Sequence, residues 1–204
     1  MNKVLSDIQN YPAELLIVTK KQNLSDIQSL ISKGLKLFGE NRVQEAQKKY
    51  KELSDLKKIN LHLIGHLQTN KVKDALELFN TIQSIDRERL VNEISKFLKH
   101  DKKIKTDSFY IQINIGSEVQ KSGVEKLHCQ DFYKFALDRK LNIEGLMCIP
   151  PNTSYVDEFF LEMNEIRKKI NPQLKLSMGM SNDYQIALKQ HSDLIRIGSL
   201  IFND

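Results

Sequence analysis

Short apolar stretches alternate with amphipathic stretches along nearly the whole chain. The short stretches are rich in leucine, isoleucine and valine, which is typical of buried strands. Between them, apolar residues recur every three or four positions, as expected of helices that bury one face. We predict strands at 15–19, 36–39, 61–65, 81–85, 109–115, 143–149, 174–178 and 194–197.

The helical pattern is clearest in 24–33, 87–98 and 155–170. Asp86 and Ser154 stand where N-caps are expected, because their side-chain oxygens can accept hydrogen bonds from the first turn. Gly34 follows the first of these segments and is expected to be its C-cap.

About eight strands with a helix in each gap predict βαβ units and a parallel sheet. We therefore expect an α/β fold, a single (β/α)8 TIM barrel that spans 1–204 as one domain. An open doubly wound sheet is the alternative, but no GxGxxG motif follows the first strand. Only 198–204 follows the last strand, which is expected to be too short for a closing helix, and 1–10 is expected to cover that gap only partly.

The composition is typical of a globular protein, with only a modest excess of positive charge. The 204 residues include 31 basic and 26 acidic residues, a net charge of +5 without a long basic block, which does not favour nucleic acid. Cys129 and Cys148 lie 19 residues apart and suggest neither a zinc site nor a disulfide framework. No apolar run approaches the roughly 18 residues of a membrane span, and the first ten residues do not resemble a secretory signal. A cytoplasmic location is expected.

Lys20 directly follows the first predicted strand, LLIVT. In an α/β barrel the strand exits form the active-site face. A lysine desolvated there has a lowered pKa, and its neutral amine is a nucleophile towards aldehydes. The alternative is a strand-end lysine that simply extends to water.

The loops after the last two strands, SMGMSND (177–183) and RIGS (196–199), are candidates for a phosphate site. Ser181 is expected to cap the next helix, whose free N–H groups suit an anion. Gly179 and Gly198 let the backbone approach a ligand, although the motif alone also fits an ordinary turn and cap. Strands one and eight are neighbours in a closed barrel, so an amine and a phosphate cradle would lie together, and pyridoxal 5'-phosphate is the obvious ligand.

Seven motifs, in order along residues 13–202, resemble those of the pyridoxal phosphate homeostasis proteins, single-barrel relatives of the alanine racemase N-terminal domain. They are IVTK (17–20), FGENRVQEA (38–46), HLIGHLQTNK (62–71), IQINIGSEVQKSG (111–123), GLMCIP (145–150), LSMGMSNDYQIAL (176–188) and RIGSLIF (196–202).

The resemblance implies that Lys20 holds the cofactor as a Schiff base. It also implies that the following residues bind the cofactor: Asn41, His62, Ser177, Met178, Ser181, Arg196, Gly198 and Ser199. Among these, Arg196 is expected beside the pyridine nitrogen or the phosphate. His62 also fits a satisfied strand histidine, and His66 receives no role, because His62 and His66 lack a third metal ligand.

The resemblance implies a non-catalytic protein that holds and delivers pyridoxal phosphate, with apo-enzymes dependent on that cofactor as partners. Alanine racemases take a second acid-base group from another domain, and this chain is expected to lack such a domain. The alternative is a small fold-type III enzyme with amino-acid racemase-like activity. A third hypothesis, RNA or protein binding through the basic surface, lacks a clustered basic and aromatic face. A monomer or weak dimer is expected.

Overall fold

Eight parallel strands pair in chain order and close into a barrel, in a computed structural model that describes residues 1–51, 53, 59–100, 103–118 and 120–202. The strands are β1 (Glu14–Val18), β2 (Leu37–Glu40), β3 (Asn60–Leu63), β4 (Thr81–Ile85), β5 (Ser108–Ile113), β6 (Ile143–Cys148), β7 (Lys175–Ser177) and β8 (Leu194–Ile197). The barrel closes where β1 pairs with β8, with Leu16 opposite Arg196. The predicted barrel is therefore confirmed, and the open-sheet alternative is wrong.

Helices surround the barrel. They are α1 (Asn2–Ile8), α2 (Leu24–Ser32), α3 (Val43–Tyr50), α4 (Val72–Leu78), α5 (Glu88–His100), α6 (Cys129–Asp138), α7 (Val156–Ile170), α8 (Tyr184–Lys189) and α9 (Ser199–Phe202). None of the helices in the described ranges is long and apolar enough to cross a bilayer.

Alternation along each strand divides the core into two parts. In β1, Ile17 joins the large core between the sheet and the helices. Leu16 and Val18 instead pack inside the barrel against Leu194. The next residue on the inner side is Lys20, so the same alternation directs its side chain towards the open carboxyl end of the barrel.

Helix boundaries agree with the sequence pattern to within one or two residues. The C-cap of α2 is Lys33, so the C-cap predicted at Gly34 is late by one residue; Gly34 follows it with φ +85°, the left-handed conformation that commonly ends helices. The other two predicted caps are wrong by one residue, because α5 begins at Glu88 and α7 at Val156. Asp86 and Ser154 each lie two positions before the first residue of the helix, which is one position too early for the N-cap.

The two chain ends meet beside β1 and β8. The ammonium group of Met1 donates a hydrogen bond to the Leu200 carbonyl oxygen at 3.1 Å. Val4 is buried, and the Tyr184 hydroxyl donates to Asp7 at 2.7 Å. The predicted partial cover by the N-terminal segment is confirmed. The segment after β8, expected to be too short for a closing helix, forms the single turn α9 in its described part.

Candidate functional site

Lys20 and Ser199 leave the barrel at the same part of its carboxyl-end rim. The β1–β8 register pairs Ile17 with Ile197, so the residues that follow these two strands run side by side. A Cβ added to Gly198 would lie 3.1 Å from the Val18 carbonyl oxygen, which shows how closely the ends of β1 and β8 approach each other. The proximity predicted for Lys20 and Ser199 follows from this pairing.

The Lys20 side chain is exposed, so the expected desolvation of its amine is wrong for this structure. The amine makes no hydrogen bond or ion pair with any residue that the structure describes. The backbone around it is nevertheless tightly held, since the N–H of Thr19 donates to the Gly39 carbonyl at 3.0 Å and that of Gln22 donates to the Thr19 carbonyl at 3.1 Å. The structure presents an unpaired amine from a fixed backbone.

Ser181 and Ser199 join the two loops that were predicted to bind phosphate. The Ser199 hydroxyl donates to the Ser181 hydroxyl at 2.9 Å. Within the described ranges, the backbone N–H groups of Ser181, Asn182 and Ser199 have no acceptor in the protein. Unpaired N–H groups beside hydroxyl groups fit a phosphate, which offers only acceptor oxygens.

The predicted N-cap at Ser181 is wrong. Helix α8 begins at Tyr184 and Asp183 occupies the cap position. One Asp183 carboxylate oxygen accepts the Met180 N–H at 2.6 Å, which closes the turn. Burial raises the pKa of the Asp183 carboxyl, and Met180 and Arg196 oppose that rise. The candidate anion site therefore consists of the loop and not of the first turn of α8.

Gly179 fixes the shape of this loop. Its φ is +95°, a region that favours glycine. An added Cβ would also lie 2.5 Å from the Ala187 Cβ, so a larger residue would push the loop away from α8.

Arg196 forms the floor beneath the rim. It is 4% exposed. Its guanidinium donates to the Ser177 carbonyl at 2.6 Å, the Ser177 hydroxyl at 2.8 Å and the Cys148 carbonyl at 2.7 Å. Burial lowers the pKa of Arg196, and Cys148 and Asp183 oppose that change. Because both carbonyl partners end their strands, the positive charge lies at the carboxyl end of the barrel.

Ser177 and Met178 support the site from behind. The Ser177 hydroxyl accepts from Arg196 and donates to Gln83 at 2.6 Å, so its only proton is already committed. The Met178 side chain is fully buried in the core between sheet and helices. The structure leaves only the backbone of Met178 available to a ligand on the inner side.

His62 lies towards the opposite, amino end of the barrel. Gln83 donates its amide N–H to the His62 Nδ1 at 2.7 Å, since the Gln83 carbonyl already accepts from Ser177. The proton of the neutral imidazole is therefore on Nε2, which has no acceptor among the described residues. His62 lines a cavity of about 200 Å³ together with Glu14, Tyr110, Glu144 and Lys175. It reaches Arg196 only through Gln83 and Ser177, and the structure does not bring it together with Lys20.

Asn41 follows β2 at the same end as Lys20 and is half-buried. Its side-chain oxygen is buried, with no hydrogen-bond partner in the part of the chain that the structure describes. It borders a cleft of about 500 Å³ that Arg42, His66 and Lys71 also line. An unpaired acceptor at this position is available to a donor group on a ligand.

Sequence reasoning missed a polar cluster directly behind Lys20. Thr19, Glu40, Lys49 and Tyr50 contact one another in the layer between barrel and helices. The one available signal was Glu40, an acidic residue at the end of an otherwise apolar strand, and its partners Thr19 and Lys49 lie 21 and 9 residues away along the chain.

The rim therefore combines an amine unpaired among the described residues, a candidate anion site of hydroxyl and N–H groups, and a buried guanidinium beneath them. This donor set fits a ligand that carries both an aldehyde and a phosphate. The residues assigned to one site from the sequence divide into two groups. Lys20, Asn41, Ser181, Arg196, Gly198 and Ser199 surround the carboxyl end, whereas His62, Ser177 and the Met178 side chain lie beneath or behind it.

Comparison with known proteins gives a consistent result. The model of the alanine racemase N-terminal domain family matches residues 3–204. The pyridoxal phosphate homeostasis protein of Aquifex aeolicus is 36% identical over 201 aligned residues, covering 94% of this chain and 87% of the relative. The protein of the same name from Buchnera aphidicola subsp. Schizaphis graminum is 36% identical over 211 residues, with 96% and 89% covered.

The barrel is also similar to solved structures. PipY of Synechococcus elongatus, solved without PLP, superposes with a TM-score of 0.82 at 29% identity, and the match covers 98% of each chain. A second structure of PipY has PLP bound and superposes with a TM-score of 0.79.

Proposed function

This chain belongs to the pyridoxal phosphate homeostasis protein family, and from that membership and the geometry of the rim we propose that it binds pyridoxal phosphate and delivers it to apo-enzymes. One observation carries the proposal. The unpaired Lys20 amine and the loops joined by Ser181 and Ser199 lie on the same part of the rim, because β1 pairs with β8.

Pyridoxal phosphate supplies an aldehyde that condenses with a primary amine and releases one water. Lys20 would supply the amine, whose nitrogen bonds to the aldehyde carbon while the aldehyde oxygen leaves with two amine protons. The unpaired N–H groups of Ser181, Asn182 and Ser199 would hold the phosphate. The Asn41 oxygen would accept from a polar group of the bound ring.

Arg196 favours holding the cofactor over turnover. Its guanidinium is a donor and carries positive charge, so a pyridine nitrogen beside it would remain unprotonated. An unprotonated ring withdraws electrons weakly and stabilises a carbanion poorly. We therefore propose a non-catalytic role, with pyridoxal phosphate as ligand and apo-enzymes as receivers.

A covalent-trapping experiment tests the role of Lys20. Protein mixed with pyridoxal phosphate should turn yellow, and borohydride should fix the adduct on the peptide that contains Lys20. Lys20→Ala should lose both signals. Lys21→Ala is the matched control and should retain them, since Lys21 is the exposed neighbour. An adduct of equal yield at another lysine in the Lys20→Ala protein would overturn the assignment.

Delivery and turnover are measured separately. Loaded protein should reactivate an apo-enzyme that depends on pyridoxal phosphate, and Lys20→Ala should do so less well at equal cofactor concentration. The alternative is a racemase-like enzyme, which the family match to the alanine racemase N-terminal domain supports. Rapid deuterium exchange at the α-carbon of alanine, abolished by Lys20→Ala, would favour that alternative over a carrier.

A further inference from the structure

A buried polar cluster lies directly behind the backbone of Lys20. The Thr19 side chain points outward from the barrel, and its hydroxyl donates to a Glu40 carboxylate oxygen at 2.7 Å. The Tyr50 hydroxyl lies 2.9 Å from the same Thr19 oxygen. Since Thr19 has already donated its proton, Tyr50 is the donor, and burial raises the pKa of Tyr50 so that it keeps that proton.

Lys49 connects this cluster to the peptide bond between Thr19 and Lys20. Its ammonium group donates to the Thr19 carbonyl oxygen at 2.6 Å and to Glu40 at 2.7 Å. The Lys49 side chain is 10% exposed and that of Glu40 is fully buried. Both hydrogen bonds are short and shielded from water. Glu40 fixes the ammonium group of Lys49, and that group in turn restrains the Thr19 carbonyl far more than a surface ion pair would.

Glu45, from the same helix, holds the other side of Lys20. One Glu45 carboxylate oxygen accepts the Lys21 N–H at 2.9 Å. Lys21 has φ +64°, an unfavourable region for lysine. A non-glycine residue stays in that region only when its surroundings hold it there. Helix α3 therefore contacts the backbone immediately before and immediately after Lys20.

A contribution to stability does not by itself account for this buried cluster. Burial raises the pKa of the Glu40 carboxyl, and the hydrogen bonds from Lys49 and Thr19 only oppose that rise. A buried ion pair generally contributes little net stability compared with apolar side chains of similar volume. Such a pair does provide a defined geometry, here at the residue next to an amine that has no hydrogen bond or ion pair among the described residues.

We propose that helix α3, through the Glu40–Lys49 pair and through Glu45, positions Lys20 so that its amine meets the aldehyde of a ligand whose phosphate is already held by the adjacent loops that Ser181 and Ser199 join. This inference rests on the proposed function. The phosphate loops fix the ligand on one side, so a small displacement of the Lys20 backbone misplaces the amine relative to the aldehyde carbon. Displacements of about 1 Å can slow a reaction by about a hundredfold. Glu40, Lys49 and Glu45 are positioning residues, because they act through the Lys20 backbone.

The test compares two ligands that share a ring and a phosphate. Pyridoxal phosphate has the aldehyde, whereas pyridoxamine 5'-phosphate does not. Two variants are measured, Glu40→Gln/Lys49→Met, which removes both buried charges together, and Glu45→Ala, which removes a partly exposed acceptor. Lys48→Met on the exposed side of α3 is the matched control. The rate of appearance of the borohydride-reducible adduct should fall about tenfold or more in both variants and stay unchanged in the control.

Affinity for pyridoxamine 5'-phosphate should change by less than about twofold in the same proteins. An equal loss for both ligands would show general damage to the site and overturn the inference, as would an unchanged rate of adduct formation. If the double variant does not fold, Glu45→Ala gives the same comparison with one hydrogen bond removed. A wild-type protein that forms no adduct at Lys20 would refute the proposed function instead, so the two failures are distinguishable.

Discussion

Acidification should destabilise the folded protein through His62, a buried histidine that the fold keeps neutral. Burial, together with the charge of Lys175, lowers the pKa of His62 from 6.5 to about 3. Below about pH 6.5 the unfolded chain binds a proton at this residue that the folded chain does not. The free energy of unfolding therefore falls as the pH falls, and this contribution ends near pH 3.

The size of the effect follows from the same shift. Each pH unit between the two pKa values costs about 1.4 kcal/mol, so about 2 kcal/mol should be lost between pH 7.5 and pH 5. The structure gives the cause, because the Nδ1 atom of His62 already accepts a proton from Gln83. Protonation would place two donors against each other in the barrel interior.

Urea unfolding of the wild type and of His62→Asn, at about pH 7.5 and about pH 5, isolates this contribution. Asparagine offers an acceptor near the position of Nδ1 but does not titrate. It leaves a cavity whose cost is the same at both pH values, so the difference between the two proteins should shrink by about 2 kcal/mol on acidification. His128→Asn is the control, because His128 is exposed and should leave the pH dependence unchanged. Parallel pH dependence of wild type and His62→Asn would refute the reasoning.

Three further predictions concern the rim. Pyridoxal, which lacks the phosphate, should bind more weakly than its phosphate by about 2–4 kcal/mol in equilibrium titrations, and Ser199→Ala should lose only part of that difference because the backbone N–H groups remain; equal affinities would refute the phosphate site. Gly198→Ala should weaken pyridoxal phosphate binding and lower the midpoint of thermal unfolding, because its Cβ would lie 3.1 Å from the Val18 carbonyl oxygen. Unchanged binding would show that the ends of β1 and β8 can move apart without cost. Arg196→Met should lower the free energy of unfolding by about 2–4 kcal/mol, measured in urea, because it removes three buried hydrogen bonds and leaves acceptors on Ser177 and Cys148 unpaired.

The barrel and its rim could be predicted because both depend on local patterns. Alternation in LLIVT places Lys20 on the inner side of β1, and eight strand-helix units place β1 beside β8. Neither step requires knowledge of a distant contact. The exposure of Lys20 could not be predicted, because burial of a strand does not reveal how far its carboxyl end is covered.

Other errors share a physical cause. Alternation shows that His62 points inward but not at which end of the barrel its ring lies. Ser181 and Asp183 are both good N-caps within two residues, and only the turn closed by Met180 decides between them. The cluster of Glu40, Lys49 and Thr19 joins residues that are distant in sequence, and each fits an ordinary polar position when taken alone.

The two polar networks that support the rim share no residue, and this separation bears on how the protein would hold its ligand. Lys49 and Glu40 act from outside the sheet on the backbone of Lys20, whereas Gln83 and Ser177 act from inside the barrel on Arg196. The Lys20 backbone and the Arg196 guanidinium are therefore held by different packing layers. A protein that must release its ligand gains from such an arrangement, because opening the covalent bond at Lys20 need not disturb the buried charge beneath it. Within the described residues the structure shows no side-chain hydrogen bond that links the two networks, so a substitution in one network should leave the hydrogen bonds of the other in place.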